Sequence, residues 1–174
     1  MKMEYLSGEK EVVFVGLNPV KEANEAKAVF CIRSTFWEIL TKAEIIEGYN
    51  ADLKKCADEI FNEKIDTKFD LGYADLVPEC DKKKSSDVKI LDHHVPDLLL
   101  KISETNAKKI VLLSKKVATA FAEKLKIENK CPDYGFLAEC KYSNGKKFKL
   151  YVMPFPETVP IKDKHNYYKE ILAK

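Results

Sequence analysis

Apolar positions along the chain fall into short blocks whose spacing switches between strand-like and helix-like periods. Glu11-Val-Val-Phe-Val15 is a β-branched and aromatic run stopped by Gly16, which reads as a buried strand ending in a turn. After a polar loop, Phe36, Ile39, Leu40 and Ala43 recur at helical spacing, which predicts a helix over 34–46 capped by Ser34 or Thr35. A weaker helical pattern covers 50–62. Leu71 to Val77 is a short apolar segment closed by Pro78, and the polar run Asp81 to Asp87 reads as an exposed loop. The next helix is expected over 89–103, with Pro96 near its start or at a kink. Lys109 to Leu113 reads as a strand; Val117, Phe121 and Leu125 mark the helix after it, with Ser114 as N-cap. Residues 135–153 alternate around Asn144-Gly145, a strong hairpin signal, and a last helix is expected over 164–173.

Strands that alternate with helices imply an α/β three-layer sandwich. A central, mostly parallel four-stranded sheet is expected between helices, with a C-terminal hairpin added to it. No repeat, low-complexity stretch or linker divides the chain, so residues 1–174 read as a single domain. Ligands of such sheets bind at strand carboxyl ends, which points to the loop Gly16-Leu17-Asn18-Pro19.

Composition narrows the classes. With 45% hydrophobic and 10% aromatic residues, 174 residues are enough for a proper core. The charged fraction is 33% but the net charge is only +2, so no strong overall field points to a polyanion, and any nucleic-acid site must be a local patch. The five cysteines, Cys31, Cys56, Cys80, Cys131 and Cys140, are odd in number and form no C-x-x-C pair. That argues against a disulfide framework, a zinc site or a locally clustered iron–sulfur site, and for a reduced cytoplasmic protein. No apolar stretch is long enough for a signal peptide or membrane span, so no membrane partner is expected.

Several chemistries drop out. None of the six glycines lies two or three positions from another, which removes G-x-G-x-x-G and the Walker loop, and neither G-x-S-x-G nor H-E-x-x-H occurs. His93, His94 and His165 are the only histidines. Neighbours on a helix project in different directions, so His93 and His94 are expected in surface or capping roles, with no metal and no cofactor. Asn18 before Pro19, taken alone, reads as an Asx-turn.

The ordered set of segments resembles the uracil-DNA glycosylase superfamily, in particular its mismatch-specific uracil- and thymine-DNA glycosylase branch. Val15-Gly16-Leu17-Asn18-Pro19-Val20 resembles the branch's first motif, Gly-Ile/Leu-Asn-Pro-Gly. Phe30 occupies the place of the aromatic that stacks on the extruded base, and Phe36-Trp37 matches a Phe-Trp pair opening the next helix. Ala74-Asp75-Leu76-Val77-Pro78 resembles the Asn-Leu-Val segment, and Ile110 to Phe121 the strand, Gly-Lys turn and helix, with Ser114 in place of glycine. Tyr151 to Glu157 lines up with the second motif, Leu-Pro-Asn-Pro-Ser, with Phe155 replacing asparagine and Glu157 replacing serine. Val20 replaces a glycine in the first motif.

The resemblance implies a DNA base-excision glycosylase that cuts the N-glycosidic bond of uracil or a related deaminated or mismatched base, leaving an abasic site. Such an enzyme flips the nucleotide into a pocket that reads its edge. Asn18 is then the catalytic residue, orienting water by hydrogen bonds; a neutral amide cannot take the proton. Gly16, Leu17, Pro19, Phe30 and Phe155 are the base-binding residues. Glu157 and Asp75 are candidate auxiliary acids, against the plainer reading that both are solvated on the surface. For DNA grip, Ser114, Lys115 and Lys116 stand at a helix start that favours a phosphate. Pro156, Thr158, Lys162 and Lys164 belong to the second-motif region, where Val159, Pro160 and Ile161 would form a wedge. Lys82–Lys84 and Lys146-Lys147 read as solvated faces. The partner is DNA with a damaged or mismatched base, bound by a monomer. The altered second motif leaves a rival: a glycosylase-fold protein, weak or inactive in catalysis, that binds nucleic acid or nucleotides. Hydrolysis of a free nucleoside in the same pocket is a third reading.

Overall fold

Strand β1 (Val12–Gly16) is buried at all five positions because it runs between two parallel neighbours with helices on both faces. On one side lies β2 (Leu71–Asp75), in register Val12↔Leu71 to Gly16↔Asp75; on the other lies β3 (Lys109–Leu112). This computed structural model describes residues 4–30, 35–130, 132–155 and 161–172, with the backbone alone for 161–163.

The sheet has five strands rather than the expected four. β4 (Gly135–Lys141) and β5 (Lys147–Val152) are the predicted hairpin, but the hairpin is part of the sheet rather than an addition to it. β5 pairs parallel to β3 and β4 forms an antiparallel edge, giving the order β2-β1-β3-β5-β4. Alternation along residues 135–153 shows that two strands pair with each other, whereas which outer edge they join is decided by long-range burial. The turn places Gly145 at φ 83°, its N–H donating to the Tyr142 carbonyl at 2.9 Å, and the Asn144 side chain accepts from Lys146 N–H at 3.0 Å. Asn144-Gly145 therefore supplies the left-handed residue and the local hydrogen bond that a tight hairpin needs.

Period-2 alternation sorts the strand side chains between two helical layers. Phe14, Leu71, Tyr73, Val111 and Tyr151 face α2 (Thr35–Lys42), α3 (Leu53–Phe61) and α6 (Ile161–Tyr168). Val13, Val15, Ala74, Ile110 and Leu150 face α4 (His94–Glu104) and α5 (Lys115–Lys124). Pro96 sits in the first turn of α4, where a missing N–H costs no helical bond. Helix α4 begins at His94, later than expected, and α6 begins at Ile161, earlier than expected, running into a 3₁₀ turn over Lys169–Leu172. One short helix, α1 (Lys21–Ala26), stands where a polar loop was expected; only its Ala23 is buried, so it carries no apolar period to read. Thr35 is the first residue of α2 rather than its cap, and Ser34 lies outside the described residues. No helix among the described residues is long and apolar enough to cross a membrane.

Candidate functional site

Chain connections leave β1 toward β2 on one side and reach β3 on the other, so the loop after β1 opens at the point where the strand order reverses. Gly16-Leu17-Asn18-Pro19 is that loop. Leu76 N–H donates to the Gly16 carbonyl at 2.9 Å and Val77 N–H to the Leu17 carbonyl at 2.8 Å, which fixes the loop against the segment after β2. A Cβ on residue 16 would lie 2.3 Å from Tyr73 Oη and 2.5 Å from Asp75 Oδ1. Glycine is thus required by close approach, and the two groups it admits form a pair: Tyr73 Oη donates to Asp75 Oδ1 at 2.8 Å.

Asp75 is 5% exposed at the carboxyl end of β2, so the solvated-surface reading does not hold for it. Burial pushes its carboxyl up to about 7, opposed by the Tyr73 hydrogen bond, which favours the charged form. Burial, and then the Asp75 charge, raise the Tyr73 hydroxyl well above its ordinary value, so it stays a donor. The same sheet face carries Phe30, whose ring stacks on Phe36 at 4.0 Å with planes 16° apart and meets Tyr73 edge-on at 5.3 Å. Phe30 has φ 56°, a left-handed conformation that costs a non-glycine residue about 1–2 kcal/mol. Phe155 is partly buried against the same layer, and buried Tyr168 of α6 donates its hydroxyl to the Pro154 carbonyl at 3.2 Å. The last helix thereby anchors the segment just after β5.

Asn18 is committed differently from a simple Asx-turn. Its Nδ2 donates to the carbonyls of Lys82 (2.9 Å), Cys80 (3.2 Å) and Pro19 (3.2 Å). Three surrounding acceptors require the nitrogen, not the oxygen, on that side. Its Oδ1 is the atom left to accept from a water. The side chain holds the loop after β2 while offering one acceptor to a ligand.

That loop is strapped at further points. His94 Nδ1 accepts from Leu91 N–H at 2.9 Å, and His94 Nε2 lies 2.6 Å from Glu79 Oε1. Lys116 Nζ donates to the carbonyls of Ser85 and of Val88, the latter at 2.8 Å, and Lys83 pairs with Glu22 of α1. His93 and His94 do come together, contrary to expectation: their rings are 4.4 Å apart and with Glu79 offer ligand atoms within 4.8 Å of one another. Only His94 lies inside the helix, so the opposite-projection argument does not apply. The donor set still does not fit an ion: a ring whose Nδ1 accepts a backbone N–H carries its proton on Nε2, and that proton is given to Glu79. His94 is a capping clasp.

A family model described as the uracil DNA glycosylase superfamily matches residues 3–174. The chain belongs to the uracil-DNA glycosylase superfamily. Its members are DNA glycosylases, hydrolases of DNA repair, so DNA is the class of partner and the α/β fold is the family's own. No curated protein matches the chain in sequence.

Within that superfamily frame the remaining expectations separate by position. Gly16, Asp75 and Phe30 meet at Tyr73, Pro19 is buried in its loop, Phe155 packs against the same helical layer, and Leu17 packs toward the α4/α5 layer. Ser114 caps α5, accepting from Val117 N–H at 3.2 Å. Lys115 is exposed near Asp133 and over the Tyr134 ring; Lys116 is spent on the 85–88 turn. Lys164 is fully buried, which removes it from a surface phosphate contact: α6 turns that position into the interior. Pro156, Glu157, Thr158, Val159 and Pro160 lie outside the described residues, as do the side chains of Ile161 and Lys162. A cavity of about 520 Å³ between residues 90–95 and α5 includes Ile90, Val95, Lys116 and Ala120, and carries none of the candidate base-binding residues. One contributor escaped sequence reasoning: Tyr73 is two residues before Asp75, so strand alternation puts both on one face. For His94 a capping role was expected, but its partners Glu79 and Leu91 lie in an irregular loop and left no local signal.

Proposed function

We propose that the protein is a monofunctional DNA glycosylase of the mismatch-specific branch, acting as a cytoplasmic monomer without metal or cofactor. It hydrolyses the N-glycosidic bond of uracil, or of a related deaminated or mismatched base, and leaves an abasic site. The observation that supports the reading is the meeting of Gly16 and Phe30 at Tyr73, beside the reversal point of the sheet, in a chain of this superfamily. The extruded base stacks on the Phe30 face turned away from Phe36, a contact worth about 1–3 kcal/mol. Asn18 Oδ1 accepts a hydrogen bond from the attacking water and aims its lone pair at the sugar carbon. Uracil departs as a stabilised anion, helped by donors preorganised around the site.

The test is incubation with single- and double-stranded oligonucleotides carrying uracil, G·U, G·T or hypoxanthine, scored for alkali-labile sites. Cleavage by wild type and its loss in Asn18→Ala is the expected result. Binding of these substrates without any cleavage would replace this reading with the non-catalytic nucleic-acid binder. That rival is supported by one observation, the commitment of the Asn18 amide nitrogen to three backbone carbonyls.

A further inference from the structure

We propose that Asp75 takes the proton from the attacking water, so that Asn18 positions the nucleophile and Asp75 activates it. The inference rests on the glycosylase reading above and adds to it the base that an asparagine in the first motif cannot supply.

The placement comes from the sheet. Gly16 and Asp75 are direct partners in the β1–β2 ladder, and both close their strands at the reversal point. Asp75 shares its sheet face with Tyr73, and Tyr73 touches Phe30, so the carboxyl sits beside the aromatic platform rather than on the far layer. Gly16 has no side chain, and Asp75 Oδ1 and Tyr73 Oη pack into the space a Cβ would take, directly against the loop that carries Asn18. One carboxyl oxygen is held by Tyr73, while the other takes no hydrogen bond among the described residues. A purely structural role would be served equally by a neutral amide, which accepts the same bond without the cost of burying an ionisable group. Tyr73 is the one titratable group seen in contact with Asp75 among the described residues. β1 brings only Gly16 to this corner and the loop before α2 brings Phe30, neither of which ionises.

The step balances without a co-reactant. Water oxygen bonds to the sugar carbon C1′ as the bond from C1′ to the base nitrogen breaks. The electron pair leaves with the base as its anion, the water proton passes to the Asp75 carboxylate, and Asp75 then releases it to the base anion or to solvent. Its position near neutrality suits both halves of that exchange, since a base works best when its affinity for the proton matches the working pH. Only the ionised carboxylate accepts a proton, so the rate rises with pH and levels off above about 7.

Single-turnover excision of uracil from an oligonucleotide, measured from pH 5 to pH 9, tests the assignment. Asp75→Asn keeps the shape and the Tyr73 bond; it is expected to lose about 10²–10⁴-fold in rate and to flatten the pH profile while still binding the oligonucleotide. Tyr73→Phe removes a bond that favours the carboxylate, and should move the midpoint of the profile to higher pH. Thermal melting at pH 5 checks that both variants fold. An unchanged rate and pH profile in Asp75→Asn, with excision still lost in Asn18→Ala, would overturn the role of Asp75 and leave the glycosylase standing. Absence of excision by wild type on every substrate would overturn both.

Discussion

Gly16 and Asp75 face each other across the β1–β2 ladder so closely that a Cβ on residue 16 would lie 2.5 Å from Asp75 Oδ1. Real Cβ atoms do not approach oxygen so closely, so Gly16→Ala must displace Asp75, Tyr73 or the strand end. The expected cost is about 1–3 kcal/mol of stability, the range for overpacking a tight interior. Gly48→Ala is the control, because nothing lies within 4 Å of a Cβ there. Denaturant midpoints of the two variants check this, and equal midpoints would contradict the contact.

The buried Asp75 also links stability to pH. Its folded value, about 7, is raised above that of an unfolded aspartate. The folded state therefore holds the proton more tightly, and the stability this supplies is complete below the ordinary carboxylate range and is lost as pH rises through about 7. The slope is at most about 1.4 kcal/mol per pH unit between those values. Asp75→Asn has no such proton to lose, so urea unfolding from pH 4 to pH 8 should show wild type weakening relative to the variant. Parallel stability curves would refute the shift.

His94 clasps the loop that Asn18 also binds. Replacing it with alanine leaves the Leu91 N–H without its acceptor and releases Glu79, for an expected loss of about 1–3 kcal/mol. The protonation forced on Nε2 also predicts that zinc does not raise the melting temperature. A zinc-dependent rise that disappears in His93→Ala would show instead that the ring exchanges its hydrogen bonds for an ion.

Lys115 and Lys116 are neighbours with different tasks. Lys115 is exposed at the start of α5, so Lys115→Ala should weaken DNA binding and reduce the salt dependence of binding by about one unit. Lys116 holds the carbonyls of Ser85 and Val88, and Lys116→Ala should lower stability by about 1 kcal/mol while leaving the salt slope unchanged. Anisotropy titrations of a labelled oligonucleotide at several salt concentrations, with melting curves alongside, separate the two effects. A lower salt slope in Lys116→Ala would assign that lysine to DNA.

Much of the scaffold follows from local pattern. The β-branched runs at 11–15 and 109–113, the helical spacing of Phe36 to Ala43, the Ser114 cap and the Asn144-Gly145 turn each rest on neighbours a few residues apart, and each is realised in the structure. The first-motif loop was likewise legible, because a glycine that stops a buried strand can be recognised from the strand itself. Sequence pattern undercounted the sheet, since pairing between β5 and β3 joins segments about 40 residues apart and leaves no local trace. It also missed α1, which has too few buried positions to set a period.

What tertiary structure alone decided is the chemistry of the corner. The sequence placed Asn18 and Asp75 in loops or strand ends where both could have been solvated. Folding turned the Asn18 amide toward the 80–82 carbonyls and buried Asp75 against Tyr73 and Gly16. The reason is that hydrogen-bond partners and dielectric surroundings are set by residues distant in the chain. A side chain's type can be read from its letter, but the proton it holds depends on what packs around it.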